Sequence, residues 1–166
     1  MRMNSKPPLD IRPERTDHPQ VMALLAALDA YLAELYEPGA NHILSVQELL
    51  APQVRFLAAW QGNSLVGCGA IRSMPGEADT QGERYVEVKR MMVAPASRGQ
   101  GVAAALLAAL EDAACAQGSE LALLETGALQ AAAVRLYERA GYRLRAAFGG
   151  YPDNGLSLFY SKRLRP

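Results

Sequence analysis

The chain predicts an α/β fold: one domain built on a central mixed sheet with helices on both faces. Three observations predict it. Apolar positions switch between the two-residue period of strands and the 3.6-residue period of helices in the order β-α-α-β-β-β-α-β-α-β-β. The strand-helix-strand portion in the middle calls for a right-handed parallel crossover. The 166 residues, half of them hydrophobic, suffice for a single core, and they show no internal repeat and no linker.

Residues 1–8 are polar and proline-containing and are expected to form a flexible arm, so the domain runs from 9 to 166. LDIRP, from Leu9, reads as a short strand. The following helix takes Thr16 or Asp17 as its cap and Pro19 in its first turn, with a stop at Pro38-Gly39. Its stripe of Val21, Leu24, Leu25, Leu28, Leu32 and Leu35 is built to face a sheet. Ser45 and Glu48 stand at capping-box spacing and start a second short helix. Val54–Trp60 and Leu65–Arg72 pair through the turn QGNS as a hairpin. After a polar loop, a strand runs from about Arg84 to Val93. A helix then spans about Gly99 to Gln117 and stops at Gly118, and a buried strand, ELALLET, follows it. LQAAAVRLYERA is a helix stopped by Gly141, and YRLRA and LSLFYSKRL close the chain as strands.

Composition narrows the function. The 17 basic and 17 acidic residues cancel, which removes any general attraction to nucleic acid or an anionic membrane and leaves a small or locally recognised partner. No apolar run approaches the ~20 residues of a membrane span, and the opening segment has no apolar core of signal-peptide length, so a cytoplasmic location is expected. Cys68 and Cys115 lie far apart in apolar segments and read as two buried thiols. The two histidines, His18 and His42, have no companion at ligand spacing, and no metal is expected.

The stretch MMVAPASRGQGVAAALL, Met91 to Leu107, places two glycines where a helix starts. Glycine in a first turn costs about 1 kcal/mol against alanine, so bare backbone is needed there. The exposed N–H groups and the positive end of the helix dipole form an anion site once side chains are removed. Gly99 and Gly101 do this, Ala103 is small, and Arg98 adds charge, so a phosphate or diphosphate is the natural guest. Ala104 stands where a dinucleotide fingerprint requires its third glycine, and no Gly-Lys-Ser/Thr follows as in a P-loop.

This stretch resembles the acetyl-CoA-binding motif of the GNAT superfamily of N-acetyltransferases: Arg or Gln, two residues, Gly, one residue, then Gly or Ala, here Arg98, Gly101 and Ala103. The block LLETGALQAAAVRLYERAGYR resembles the second conserved segment of that superfamily. The resemblance implies a GNAT-like, mostly antiparallel mixed sheet in which one parallel pair splays apart to admit the pantetheine of acetyl-CoA. Met91, Met92 and Val93 would then offer backbone groups to the pantetheine and acetyl carbonyl. The diphosphate would rest on Arg98, Gly99, Gln100, Gly101, Val102, Ala103 and Ala104, with Gln130 and Ala133 further along the cofactor.

By the same resemblance an acceptor amine attacks the thioester directly. Tyr137 occupies the place of the general acid for the departing thiolate. Glu87, put first, and Glu125 occupy the two places used for a general base; Glu87, Lys89 and Met91 are expected to share one strand face, where Lys89 would neutralise Glu87. Gln130 stands where the branch acting on ribosomal-protein termini often has asparagine. Tyr36, His42, Phe148 and Tyr151 would line the acceptor pocket, and Arg72 or Lys89 would hold an acceptor carboxylate. The expected acceptor is the primary amine of a small-molecule or amino-acid-like compound. Acetylation of a protein N-terminus or lysine, and a non-catalytic acyl-CoA sensor, remain alternatives. A homodimer through the last strands is also implied.

Overall fold

A computed structural model describes residues 5–37 and 43–165. Seven strands form one sheet: β1 (Leu9–Pro13), β2 (Val54–Gln61), β3 (Ser64–Met74), β4 (Tyr85–Val93), β5 (Leu121–Gly127), β6 (Arg143–Arg145) and β7 (Ser157–Arg163). Their spatial order is β1-β2-β3-β4-β5-β7-β6. Every neighbouring pair is antiparallel except β4 with β5, which are parallel. The helices are α1 (Pro19–Leu35), α2 (Val102–Ala116) and α3 (Ala131–Arg139). The sheet is therefore mixed and mostly antiparallel, with one parallel pair.

α1 packs on one face. Its Val21, Leu24, Leu25 and Leu28, spaced i, i+3, i+4 and i+7, are buried against Phe56, Cys68, Ala70 and Met92. α2 packs on the other through Val102, Leu106, Leu107 and Leu110, each worth roughly 1.5–3 kcal/mol in removal from water. α2 lies so close that a Cβ at Gly69 would stand 2.9 Å from Leu110 Cδ1 and 2.5 Å from Met91 Sδ.

Local chemistry departs from expectation at three points. α1 is capped by His18, whose Nδ1 accepts from the Gln20 N–H at 3.2 Å, because the Thr16 hydroxyl donates instead to the Val46 carbonyl. The expected stop at Pro38-Gly39 lies outside the described residues. Ser45 and Glu48 do exchange capping-box hydrogen bonds, but the helix they start is a single 3₁₀ turn, Glu48–Leu50. Ala51 precedes Pro52, which disfavours helical backbone there, and Ala51 is extended. Cys68 is buried and Cys115 only half-buried; both are free thiols. The last strand, β7, is interior along Phe159–Ser161, flanked by β5 and β6.

Candidate active site

The site begins with an irregularity in β4. Ala70 pairs with Lys89 and Cys68 with Met92, so Gly69 alone faces both Arg90 and Met91. This is a β-bulge. Arg90 sits in the left-handed region at φ 59°, a conformation costing a non-glycine residue about 1–2 kcal/mol. An ion pair from its guanidinium to Asp29 on α1, and a hydrogen bond from the Cys68 thiol to its carbonyl at 3.4 Å, hold it there. A bulge adds twist and bends its strand. β4 accordingly leaves β5 after two rungs, Val86 with Ala122 and Glu87 with Leu123.

The bulge also changes which side chains share a face. Val86 and Val88 pack toward α2, and beyond the bulge so do Met91 and Val93, whereas Met92 joins the α1 side. The expectation that Glu87, Lys89 and Met91 share one face is corrected: the extra residue moves Met91 to the opposite face.

Between the parted strands lies a cleft enclosing ≈ 750 Å³ of space continuous with solvent. One bank is β4 from Val88 to Met91, and the other is Glu125, Thr126 and Gly127 at the end of β5. Gln130 and Tyr137 of α3 complete the second bank. Tyr137 is buried, its ring 5.9 Å edge-on from that of Tyr142. Burial, followed by the nearby Glu125 charge, raises the Tyr137 phenol above the usual tyrosine range, so it remains a neutral donor at physiological pH. Glu125 is half-buried on the cleft wall. Ala133 is half-buried against the α2-side core.

Glu87 does not line the cleft. It is 3 % exposed and accepts a hydrogen bond from the Tyr151 hydroxyl at 2.5 Å. Lys89 reaches both, 3.4 Å from the Glu87 carboxylate and 2.5 Å from the Tyr151 hydroxyl. Phe148, expected in the acceptor pocket, is core instead: it is buried in edge-on contact with Tyr85, Tyr151 and Phe159. Arg72 stays on β3, opposite Glu87 in register and off the cleft. Tyr36 is on the cleft and His42 lies outside the described residues.

At the edge of the sheet beyond Val93, α2 begins one turn later than the expected Gly99. Gly101 is its N-cap at φ 81°, with no side-chain cap and no acid in the first turn. The first intrahelical donor is Ala105, to the Gly101 carbonyl. The N–H groups of Val102, Ala103 and Ala104 therefore precede the ladder. Gly99 (φ 76°) and Gly101 both face open space where a Cβ would stand. Arg98 is exposed beside them, its Nε donating to the Val93 carbonyl at 3.3 Å. Gln100 donates to the Ala96 carbonyl and receives a hydrogen bond from Lys6, so the start of the chain reaches the turn. This uncapped, unobstructed helix start fits a diphosphate.

Two features escaped the sequence. Nothing marks Arg90, since an arginine stands where a left-handed bulge favours glycine. The contact between Tyr36 and the end of β5 pairs residues 91 positions apart, although Gly127, closing a strand otherwise rich in leucine, was a visible irregularity.

A parted parallel pair, a glycine-relieved helix start beyond β4 and a buried tyrosine on the gap make up the site, and the chain belongs to the acetyltransferase (GNAT) family, whose profile matches residues 21–142. It is accordingly an enzyme of the N-acetyltransferase class. Among its relatives, an IAA acetyltransferase of Azospirillum brasilense is 44 % identical over 144 residues, covering 87 % of this chain and 90 % of the relative. A Klebsiella pneumoniae protein described as an acyl-CoA N-acyltransferase is 35 % identical, with a TM-score of 0.75 over 95 % of this chain and 98 % of its own. A GNAT acetyltransferase of Elizabethkingia anophelis, crystallised with acetyl-CoA, has a TM-score of 0.63 at 19 % identity over 94 % and 98 %.

Proposed function

We propose that this enzyme moves an acetyl group from acetyl-CoA directly to the primary amine of a small, amino-acid-like molecule. The observation that carries the reading is the placement of Glu125 and Tyr137 on one gap between β4 and β5, with the uncapped start of α2 following β4 in the chain. The acetyl-CoA found in the Elizabethkingia protein supports the donor. The 44 % identical relative, named an IAA acetyltransferase, agrees with a small-molecule class.

Acetyl-CoA, when bound, supplies an activated thioester. The amides of Val102, Ala103 and Ala104, with Gly99 and Gly101 leaving room and Arg98 and Gln100 alongside, hold its diphosphate by charge-assisted hydrogen bonds. The unpaired edge of β4 from Val88 to Val93, including Met91 and Met92, takes the pantetheine as a strand would be taken, while Gln130 and Ala133 border it from α3.

A donor entering from the α2 and α3 side leaves the α1 side for the acceptor. An alkyl amine, with a pKa near 10, must shed a proton before its lone pair can form the C–N bond. Glu125 receives that proton, directly or through water. As the C–S bond breaks, Tyr137 Oη donates a proton to the sulfur, so the departing group leaves as a thiol. Glu87 serves as a positioning residue: its carboxylate holds Tyr151 and Lys89, and thereby keeps the Lys89 side chain on the wall of the gap.

The test is thiol release from acetyl-CoA with a panel of small amines and of peptides bearing free N-termini, with Glu125→Gln and Glu87→Gln compared. Small amines should be preferred, and Glu125→Gln should lower kcat by about 10²-fold or more with acetyl-CoA affinity retained. Preference for peptides, or cofactor binding with no acceptor turned over, would overturn the reading in favour of a polypeptide acetyltransferase or an acyl-CoA sensor.

A further inference from the structure

Tyr36 follows the last turn of α1, its N–H donating to the Leu32 carbonyl at 3.0 Å. Its side chain crosses the mouth of the cleft. On the far bank the tyrosine hydroxyl accepts a hydrogen bond from the Leu129 N–H at 3.2 Å. One side chain thus ties α1 to the β5–α3 connection across the gap between β4 and β5.

Gly127 makes room for it. A Cβ at Gly127 would stand 1.6 Å from Tyr36 Oη, 2.3 Å from its Cζ and 2.9 Å from Gln130 Nε2. Gly127 is not among the positive-φ glycines, so its backbone does not call for glycine. The need is steric, and the Tyr36 phenol creates it.

Behind this crossing the α1 side of the cleft is aliphatic, walled by Leu28, Leu32, Ile43 and Leu44, with Leu156 before β7 on the opposite bank. Leu28 and Leu44 are buried. The charged groups, Glu125, Lys89 and Arg90, belong to the two strands at its floor, and the Arg90 guanidinium is paired with Asp29 of α1. Such a chamber suits an amine whose nitrogen reaches the floor while a compact apolar body fills the walls. A polypeptide acceptor needs an open path for the residues that follow its first, and Tyr36 lies across that path.

We infer that Tyr36, seated on Gly127, is the residue that selects the acceptor, admitting compact amines with an apolar body and barring extended polypeptide termini. The inference rests on the acetyl-transfer reading above and adds the residue and the substrate chemistry that set its specificity.

The experiment compares the wild-type chain with Tyr36→Ala, Tyr36→Phe and Gly127→Ala. The acceptors are 3-methylbutylamine, 2-phenylethylamine and a tetrapeptide with a free N-terminus, and acetyl-CoA affinity is measured by calorimetry in parallel. The wild-type chain should favour the two amines over the peptide by about a hundredfold in kcat/KM, and Tyr36→Ala should shrink that ratio at least about tenfold, through a gain in kcat/KM for the peptide together with a higher KM for the amines. Gly127→Ala should reproduce the loss, because its methyl evicts the ring. Tyr36→Phe, which keeps the ring and surrenders only the hydroxyl contact, should stay close to wild type. A wild-type chain that acetylates the peptide as well as the amines, or an unchanged ratio in Tyr36→Ala, overturns the inference. Absence of acetyl-CoA binding would instead sink the acetyl-transfer reading, which separates the two failures.

Discussion

Replacing Gly101 with alanine separates the folding role of the α2 start from its binding role. Gly101 stands at φ 81° with nothing within 4 Å of the place an added methyl would take, so the extra carbon meets no steric conflict inside the chain. The cost to folding is then the left-handed backbone alone, about 1–2 kcal/mol, which in a domain of this size lowers Tm by about 2–4 °C per kcal/mol. Gly118, at the other end of α2, shares the conformation at φ 83° and the open surroundings. Gly118→Ala should therefore lose similar stability. Only Gly101 immediately precedes the Val102, Ala103 and Ala104 amides, so only there does the methyl stand beside an anion held on them. Losing one charge-assisted hydrogen bond to a diphosphate, worth about 1.5–3 kcal/mol, weakens binding by about 10- to 150-fold. Calorimetric titration with coenzyme A should show that loss for Gly101→Ala and none for Gly118→Ala. S-acetylpantetheine, which carries the thioester without the diphosphate, should serve Gly101→Ala and wild type as donor with equal kcat/KM. Equal coenzyme A affinity in Gly101→Ala and wild type, or an equal loss with S-acetylpantetheine, would refute the cradle.

Tyr137→Phe keeps the buried ring and removes the proton, so kcat should fall by about 10²–10⁴-fold while acetyl-CoA affinity holds; unaltered single-turnover thiol release would end the acid assignment. Burial pushes the Cys68 thiol up to about 12, and the residue has no exposed surface. Iodoacetamide at pH 8 should therefore modify only the half-buried Cys115 in the native chain and both thiols in denaturant, as read by peptide mass mapping. Burial also raises the phenols of Tyr137, Tyr142 and Tyr151 above their unfolded values. Because the unfolded chain ionises first, their contribution is intact below about pH 10 and declines above it by about 1.4 kcal/mol per pH unit for each tyrosine. Urea unfolding followed from pH 9 to 11 should show this loss, with a shallower slope in Tyr142→Phe, and a flat profile would contradict it.

Much of the fold was legible because its signals are local. Strand and helix periods follow from which side chains share a face, and they located the crossover between β4 and β5 and the stripe of α1. The pair Gly99 and Gly101 was equally readable, since a helix start that omits its polar cap twice over needs a reason that backbone chemistry supplies. The boundary errors were local competitions decided at a distance: Thr16 left the α1 cap to His18 because the Val46 carbonyl, thirty residues on, claimed its hydroxyl.

The sequence by itself determined the element order, the single parallel crossover and the bare helix start, all consequences of residues within a few positions of one another. Tertiary structure alone decided what the gap contains. The bulge at Arg90 depends on Asp29 and Cys68, which reach it from α1 and β3, and it moved Met91 to the far face. Glu87 and Glu125 are both strand glutamates of similar local setting, yet Tyr151 and Lys89 close over the first while the parting of the strands leaves the second on the cleft. Tyr36 and Gly127 acquire meaning only together. A contact between residues so far apart along the chain leaves no periodic trace in sequence, because it is fixed by how the sheet brings α1 and the end of β5 to one mouth.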